Sequence, residues 1–412
     1  MILKKTANYW VPLVILLVLV GMSFLNLKAD QSTHFEDHFA PRWNTAGNWI
    51  RQGLSPYSDE TQRSTLSLLK TNNSTADELS KGKFLDPAWY VLFYIPISFV
   101  PYPIAKAIWM TLLEVSVAVS IFLGLQLSGL KLNGIETAIT ILLGTVFYPF
   151  VRDYLTANMM PFYVMLTLLG VRLALKKQGA QAGLLFLLAI WMNPAMIFVA
   201  VFLLILLGGQ RDGSMARMLM IGFAFLMAVS LILFPGWVRQ WFADIVLLNP
   251  SPDMLNTPWM RAASFVPGAE RQISIILHLA TLVMLLVEWY GLSRRGERGV
   301  QWKLILTLTV AYFFNLYSDG SALLLVLPGF FAISKYLTEK WKVSGKIIHW
   351  LAFMAIGFSS WRLGSNPLQG IPKAHDLTLL LVPFLIFIGL QWFRWWAIAS
   401  PNALVESNKN SG

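Results

Sequence analysis

Apolar residues run together in long blocks along this chain, and basic residues collect at the block ends. The blocks lack the two-residue alternation of strands and are long enough for helices. Membrane spans are predicted at about 10–27, 104–127, 133–151, 154–175, 218–236, 272–292, 300–317, 320–336, 346–363 and 376–393. The run from Ala180 to Gly209 is interrupted by Asn193-Pro194. As one straight helix it would measure about 45 Å, well beyond a hydrocarbon core of about 30 Å. A hairpin of two short helices accounts for its length and for basic residues at both ends, and the total is then about twelve spans; a single strongly tilted helix is the alternative, but it puts one basic cluster outside. Residues 84–103 are apolar but cut by Pro96, Pro101 and Pro103, which predicts a re-entrant or interfacial segment.

Hydrophobic residues make up 56% of the 412 positions and charged residues 13%, against about 25% charged in soluble proteins. With a mean hydropathy of +0.59, this predicts an all-α polytopic membrane protein, residues 1–412 forming a single integral membrane domain. The net charge of +11 is not a nucleic-acid footprint, because the basic residues sit at span ends and act as topology determinants. Lys4 and Lys5 hold the start of the first, uncleaved span in the cytoplasm. Lys176, Lys177, Arg217, Arg294, Arg298, Lys340, Lys346 and Arg394 then fall on the same side. Both termini are expected to be cytoplasmic in a multi-pass protein of the plasma (cell) membrane. The external segments are then 28–103, a turn at 152–154, 237–271, 317–320 and 363–376. Cysteine is absent, which excludes disulfide and thiol chemistry, and five scattered histidines show no zinc-ligand spacing.

The polar stretch from Phe35 to Tyr57 stands out in the first external loop. Glu36, Asp37 and His38 precede Pro41, a residue suited to a first helical turn. Phe39, Trp43, Ala46 and Ile50 follow at helical spacing, and Gly53 ends the pattern before a Ser-Pro-Tyr turn. A short amphipathic helix beside a span lies in the membrane interface, with Trp43 and Trp49 at headgroup level. Asp37 is then held near the membrane surface, where a lipid-linked substrate presents its head. Equally, Asp37 can serve only the positive end of that helix, with Glu36 a solvated loop charge.

The order of elements from Asp37 to Trp109 resembles glycosyltransferase family 87, in the GT-C superfamily of membrane glycosyltransferases. The resemblance rests on Asp37, the aromatic-rich helix, Gly53, Pro56-Tyr57, Tyr94-Ile95-Pro96 and the Ala105-to-Trp109 run. Weaker similarity covers residues 154–199 and the Asn249-Pro250-Ser251 loop, so that about residues 10 to 330 are included. The chain departs from the family at Ala157-Asn158, where Gly-Gln is usual, and at Asn193, where Lys is common. It also departs at 315–328, which lacks an aromatic-His feature and offers Asp319. The resemblance implies a GT-C-like helical bundle and an inverting transfer of a mannose-like hexose from a polyprenyl-phosphate donor to a lipid or glycan acceptor at the external face. Asp37 is the implied base, with Glu36 as orienter or substitute. The candidate substrate-binding residues are Arg42, Tyr57, Arg152, Asn158, Asn193, Asn249, Ser251, Arg261 and Asp319. In some relatives a divalent metal bridges carboxylates and phosphate; no ligand cluster is evident here, and no cofactor is expected. The partners implied are the lipid-linked donor, the acceptor and membrane lipids, with no nucleic acid. A transporter or flippase of lipid-linked sugars is the rival class. It would place ionisable residues mid-span, where Glu114 is the clearest, while the polar residues here gather in external loops. A family member that has lost catalysis is the third.

Overall fold

The computed structural model describes the chain except residues 1–2, 33–36, 70–81, 193–195, 209–212, 244–256, 292–295, 316–319, 366–373 and 398–412. Every regular element among the described residues is helical. Five helices are long and apolar enough to cross a membrane, or six if one bent pair counts as a span. Among the described residues the chain is therefore helical and suited to a membrane, with five or six helices able to cross by this measure; the expected twelve or so spans are not confirmed. The difference lies partly in short helices and partly in the blocks at 320–336 and 346–363, which form one candidate span, Gly320–Gly364. Met160–Leu175, one of the short helices, has 16 residues, about 24 Å of helix.

The chain divides into two compact units, the first comprising Met1–Ser116, Arg152–Phe162 and Phe223–Pro250. It opens with α1 (Leu3–Ser32), a span whose apolar faces are almost wholly exposed. After it come α2 (Ala40–Gln52), α3 (Asp59–Leu69), α4 (Tyr90–Ser98) and the first half of α5 (Tyr102–Ser128). α2 has Pro41 in its first turn and stops at Gly53, whose φ of +67° lets its amide close back on the Trp49 carbonyl. The expected apolar stripe on α2 is corrected in part. Phe39 and Ala46 are buried, but Ile50 is 42% exposed. Asn44 and Asn48 are buried in its place, because α3 presents hydroxyls to that face. Asn44 Nδ2 donates to Ser64 and Thr65, and Asn48 Nδ2 to Ser64. α4 is nine residues long, too short to cross, as its prolines foretell. Trp43 is anchored to its C-terminal end, donating Nε1–H to the carbonyls of Ile97 and Val100.

The second unit holds Val117–Val151, Tyr163–Gly222 and Ser251–Gly412. The span expected at 133–151 is two helices, α6 (Gly134–Thr145) and α7 (Tyr148–Leu155), bent by 58°. Asn133 and Glu136 form a reciprocal capping box at the start of α6. Residues 152–154 are helical, not the external turn that was expected; α7 runs through them, and the turn falls at 156–159, before α8 (Met160–Leu175). α9 (Gly179–Met192) and α10 (Met196–Gly208) flank Asn193-Pro194, which lie outside the described residues. The remaining helices are α11 (Ser214–Leu233), α12 (Trp237–Phe242), α13 (Pro258–Ala263), α14 (Glu270–Gly291), α15 (Gly296–Phe313), α16 (Leu327–Ser365) and α17 (Ala374–Ala397). α11 begins in this unit and ends in the first, which also holds α12. A 3₁₀ turn, Gly320–Leu325, opens the block expected as a span from 320. The break expected between 336 and 346 is a kink at Lys342, whose φ of +45° and ψ of −110° interrupt α16.

The topology has a direct test, because the chain has no native cysteine. Ser67 is exposed on α3, and Asn256, outside the described residues, belongs to the 237–271 segment read as external from the sequence. Ser67→Cys and Asn256→Cys should both react with an impermeant thiol reagent in intact cells. Labelling of only one overturns the assignment of 28–103 and 237–271 to one face.

Candidate active site

Asp37 ends the connection between α1 and α2, and its two oxygens have different surroundings. Oδ1 accepts the amides of Phe39 and Ala40 at 2.9 and 3.0 Å. It thereby satisfies two of the donors a helix start leaves open. Oδ2 accepts the Tyr102 hydroxyl and lies 2.7 Å from Lys106 Nζ. Lys106 Nζ in turn meets Asp30 Oδ1, on the last turns of α1, at 2.5 Å. The side chains of Lys106, Asp37 and Asp30 are only 6%, 9% and 21% exposed. One ammonium thus ties the end of α1, the start of α2 and the first turns of α5 together. Phe39 packs over this cluster, stacked on Tyr102 and Trp109 and edge-on to Tyr94. The aromatic cover keeps water from competing with the charges.

A second pair braces the same loop. Arg42 Nε and Nη2 meet the two oxygens of Asp86 at 2.6 and 3.2 Å, and Nη1 donates to the His38 carbonyl at 2.6 Å. Arg42, a candidate phosphate ligand, is therefore a fork on a carboxylate, and an incoming phosphate would have to displace Asp86. Tyr57 donates its hydroxyl to the Asp86 carbonyl at 2.7 Å, which fixes its ring beside Phe84. The His38 amide donates to the Thr156 carbonyl at 2.9 Å, bringing the α7–α8 turn against the segment that carries Asp37. Arg152 is exposed one helical turn before Thr156. Asn158 Oδ1 accepts the Met160 amide at 3.1 Å and so caps α8. Arg261 is half-buried on α13 in the second unit. Glu36, Asn193, Asn249, Ser251 and Asp319 lie outside the described residues.

Ala157 has φ of +52°, a left-handed conformation costing an L-residue roughly 1–2 kcal/mol. Ala157→Gly should raise stability by about 1 kcal/mol or slightly less, since glycine also gains freedom in the unfolded chain. Thermal unfolding in detergent measures this; a lower midpoint would show that the turn is not left-handed.

Sequence reasoning missed Asp30, Asp86, Tyr102 and Lys106. Lys106 had a signal: it is the lone basic residue inside the apolar stretch from Tyr102 to Ser128, and a charge there needs a partner. No group of three or more metal-ligating side chains occurs among the described residues. The class defined so far is a helical membrane protein with a buried carboxylate–ammonium–carboxylate cluster at the junction of α1, α2 and α5. No family model matches the chain, and neither a curated protein nor a solved structure matches it.

Proposed function

We propose that this protein is a membrane glycosyltransferase of the GT-C type. It moves a mannose-like hexose from a polyprenyl phosphate to a lipid or glycan acceptor at the external face, with inversion, and Asp37 is the general base. The observation that carries this reading is the division of labour within one carboxylate. Oδ1 is committed to the α2 amides and holds the group in place. Oδ2 is turned to a hydroxyl and an ammonium at the end of a membrane helix. The acceptor hydroxyl takes the place of one of these donors and comes within about 2.6–3.2 Å of Oδ2. Its oxygen attacks the anomeric carbon, its proton passes to Oδ2, and the lipid phosphate leaves with the electrons of the broken C–O bond. Phosphate is a good leaving group, so the donor needs cations or amides around it, not a strong acid. Arg152, exposed on α7 one turn before Thr156, whose carbonyl accepts the His38 amide, is the cation assigned to this task.

One observation favours a second reading. An ionised carboxylate offers about four lone-pair sites, and four donors already fill those of Asp37. That occupancy suits a purely structural node in a protein without catalysis. Assay of membranes for transfer from a panel of polyprenyl-phosphate sugars separates the two. Transfer that depends on Asp37 supports the first, and its absence with every donor supports the second.

A further inference from the structure

In the second unit, helix ends meet in a cluster that holds more cationic groups than anionic ones. Glu288 is buried in the last turn of α14, and its Oε1 accepts from Arg394 Nη1, in the last turn of α17. Lys303 stands on α15, one helical turn before Thr307. The Thr307 hydroxyl accepts the Trp289 indole N–H at 2.9 Å, so this face of α15 is turned to α14 beside Glu288. Lys303 is only 7% exposed and close enough to Glu288 to feel its charge. Yet its ammonium forms no ion pair or hydrogen bond with any described residue. Gln391, three residues before Arg394 on α17, has its amide nitrogen buried without a hydrogen-bond partner among the described residues. We propose that this cluster binds a phosphate group at the membrane surface. The site is separate from Asp37 and does not depend on the glycosyltransferase reading.

The charge balance calls for an anion. Arg394 and Lys303 bring two positive charges to the single negative charge of Glu288. Arg394 is paired with that carboxylate, which leaves the Lys303 ammonium where an uncompensated charge is costly. An anion received by Lys303 Nζ and the Gln391 amide removes the cost and gives both groups the acceptor they lack. Glu288 meanwhile holds the Arg394 guanidinium in place, so that cation does not have to be ordered on binding.

Two aromatic residues fix the level of the cluster. Tyr290, two residues past Glu288, and Trp392, two before Arg394, are both largely exposed. Exposed tyrosine and tryptophan at the ends of membrane helices sit at headgroup level, where lipid phosphates lie. A basic pocket between membrane helices at that depth suits an acidic headgroup.

The test is the thermal unfolding midpoint of the full chain in an uncharged maltoside detergent. It is titrated with phosphatidylglycerol, with inorganic phosphate, and with phosphatidylcholine, whose choline cation offsets its phosphate. Phosphatidylglycerol or inorganic phosphate should raise the midpoint saturably, and phosphatidylcholine should not. A rise with phosphatidylglycerol alone assigns the phosphate to a lipid headgroup, and a rise with inorganic phosphate extends the site to a soluble anion. Lys303→Met should weaken the affinity by about tenfold or more. Without added anion the same variant should unfold at an equal or higher temperature than the unsubstituted protein, since it removes a buried charge that has no partner. Gln391→Leu leaves all three charges in place and should weaken binding by about tenfold. No rise with either anion, an equal rise with phosphatidylcholine, or a rise that neither substitution weakens overturns the site. So does a lower midpoint for Lys303→Met without anion, which would make Lys303 a structural partner of Glu288.

Discussion

Asp37→Asn should lower sugar transfer by about 10²–10⁴-fold, the range for loss of a general base, while affinity for the lipid donor changes little. The substitution keeps the shape and leaves an amide oxygen to accept the Phe39 and Ala40 amides, so the start of α2 survives. It replaces Oδ2 by a nitrogen that cannot take a proton from an acceptor hydroxyl. It also removes a partner of Lys106, so thermal unfolding and donor binding are measured on the same preparation. That separates a chemical defect from a folding one. Wild-type turnover in a folded Asp37→Asn variant would eliminate Asp37 as the base and move the search to Glu36 or Asp319.

Lys106→Met should cost about 3–5 kcal/mol of stability, the usual result of removing one member of a buried charge cluster. The methionine fills the space of the alkyl stem, so the loss is not one of packing. What remains is two carboxylates, Asp30 and Asp37, that had shared one ammonium at 2.5 and 2.7 Å and now face each other without it. Asp30→Asn in the same background removes one of these charges and should recover part of the loss. The recovery is read as the coupling term of a double-mutant cycle. Additive effects would show that the three groups do not form one cluster.

How far the structure was legible in the sequence depends on the range of the interaction. Pro41 and Gly53 mark the ends of α2 because first-turn and last-turn preferences act within a few residues. Pro96 and its neighbours announced a helix too short to cross for the same reason. The donors to Asp37 Oδ2 were not legible: Tyr102 lies 65 positions away, and nothing local to Asp37 points to it. The 58° bend between α6 and α7 was also hidden, since hydropathy along 133–151 reports how apolar a block is and not its direction. Asn44 and Asn48, off the apolar stripe read for α2, are buried, because the face they meet is itself hydroxyl-bearing. Arg42 shows the same limit from the other side. An arginine near a candidate base invites a substrate role, and its carboxylate partner, 44 positions on, is not legible from the sequence around it.

The polar contacts along α1 bear on how the protein is made. Ser23 and Asn26 hydrogen-bond Thr111, and Asn26 also reaches Glu114, on α5. The ribosome delivers Thr111 85 positions after Asn26, a delay of about 4–17 s at about 5–20 residues per second. During that interval α1 sits in the bilayer with the Asn26 amide unmatched and the Ser23 hydroxyl bonded only to the Leu19 carbonyl of its own helix. The insertion machinery must shelter that edge, or nearby lipid headgroups and water must serve it, until α5 enters and the two segments find each other.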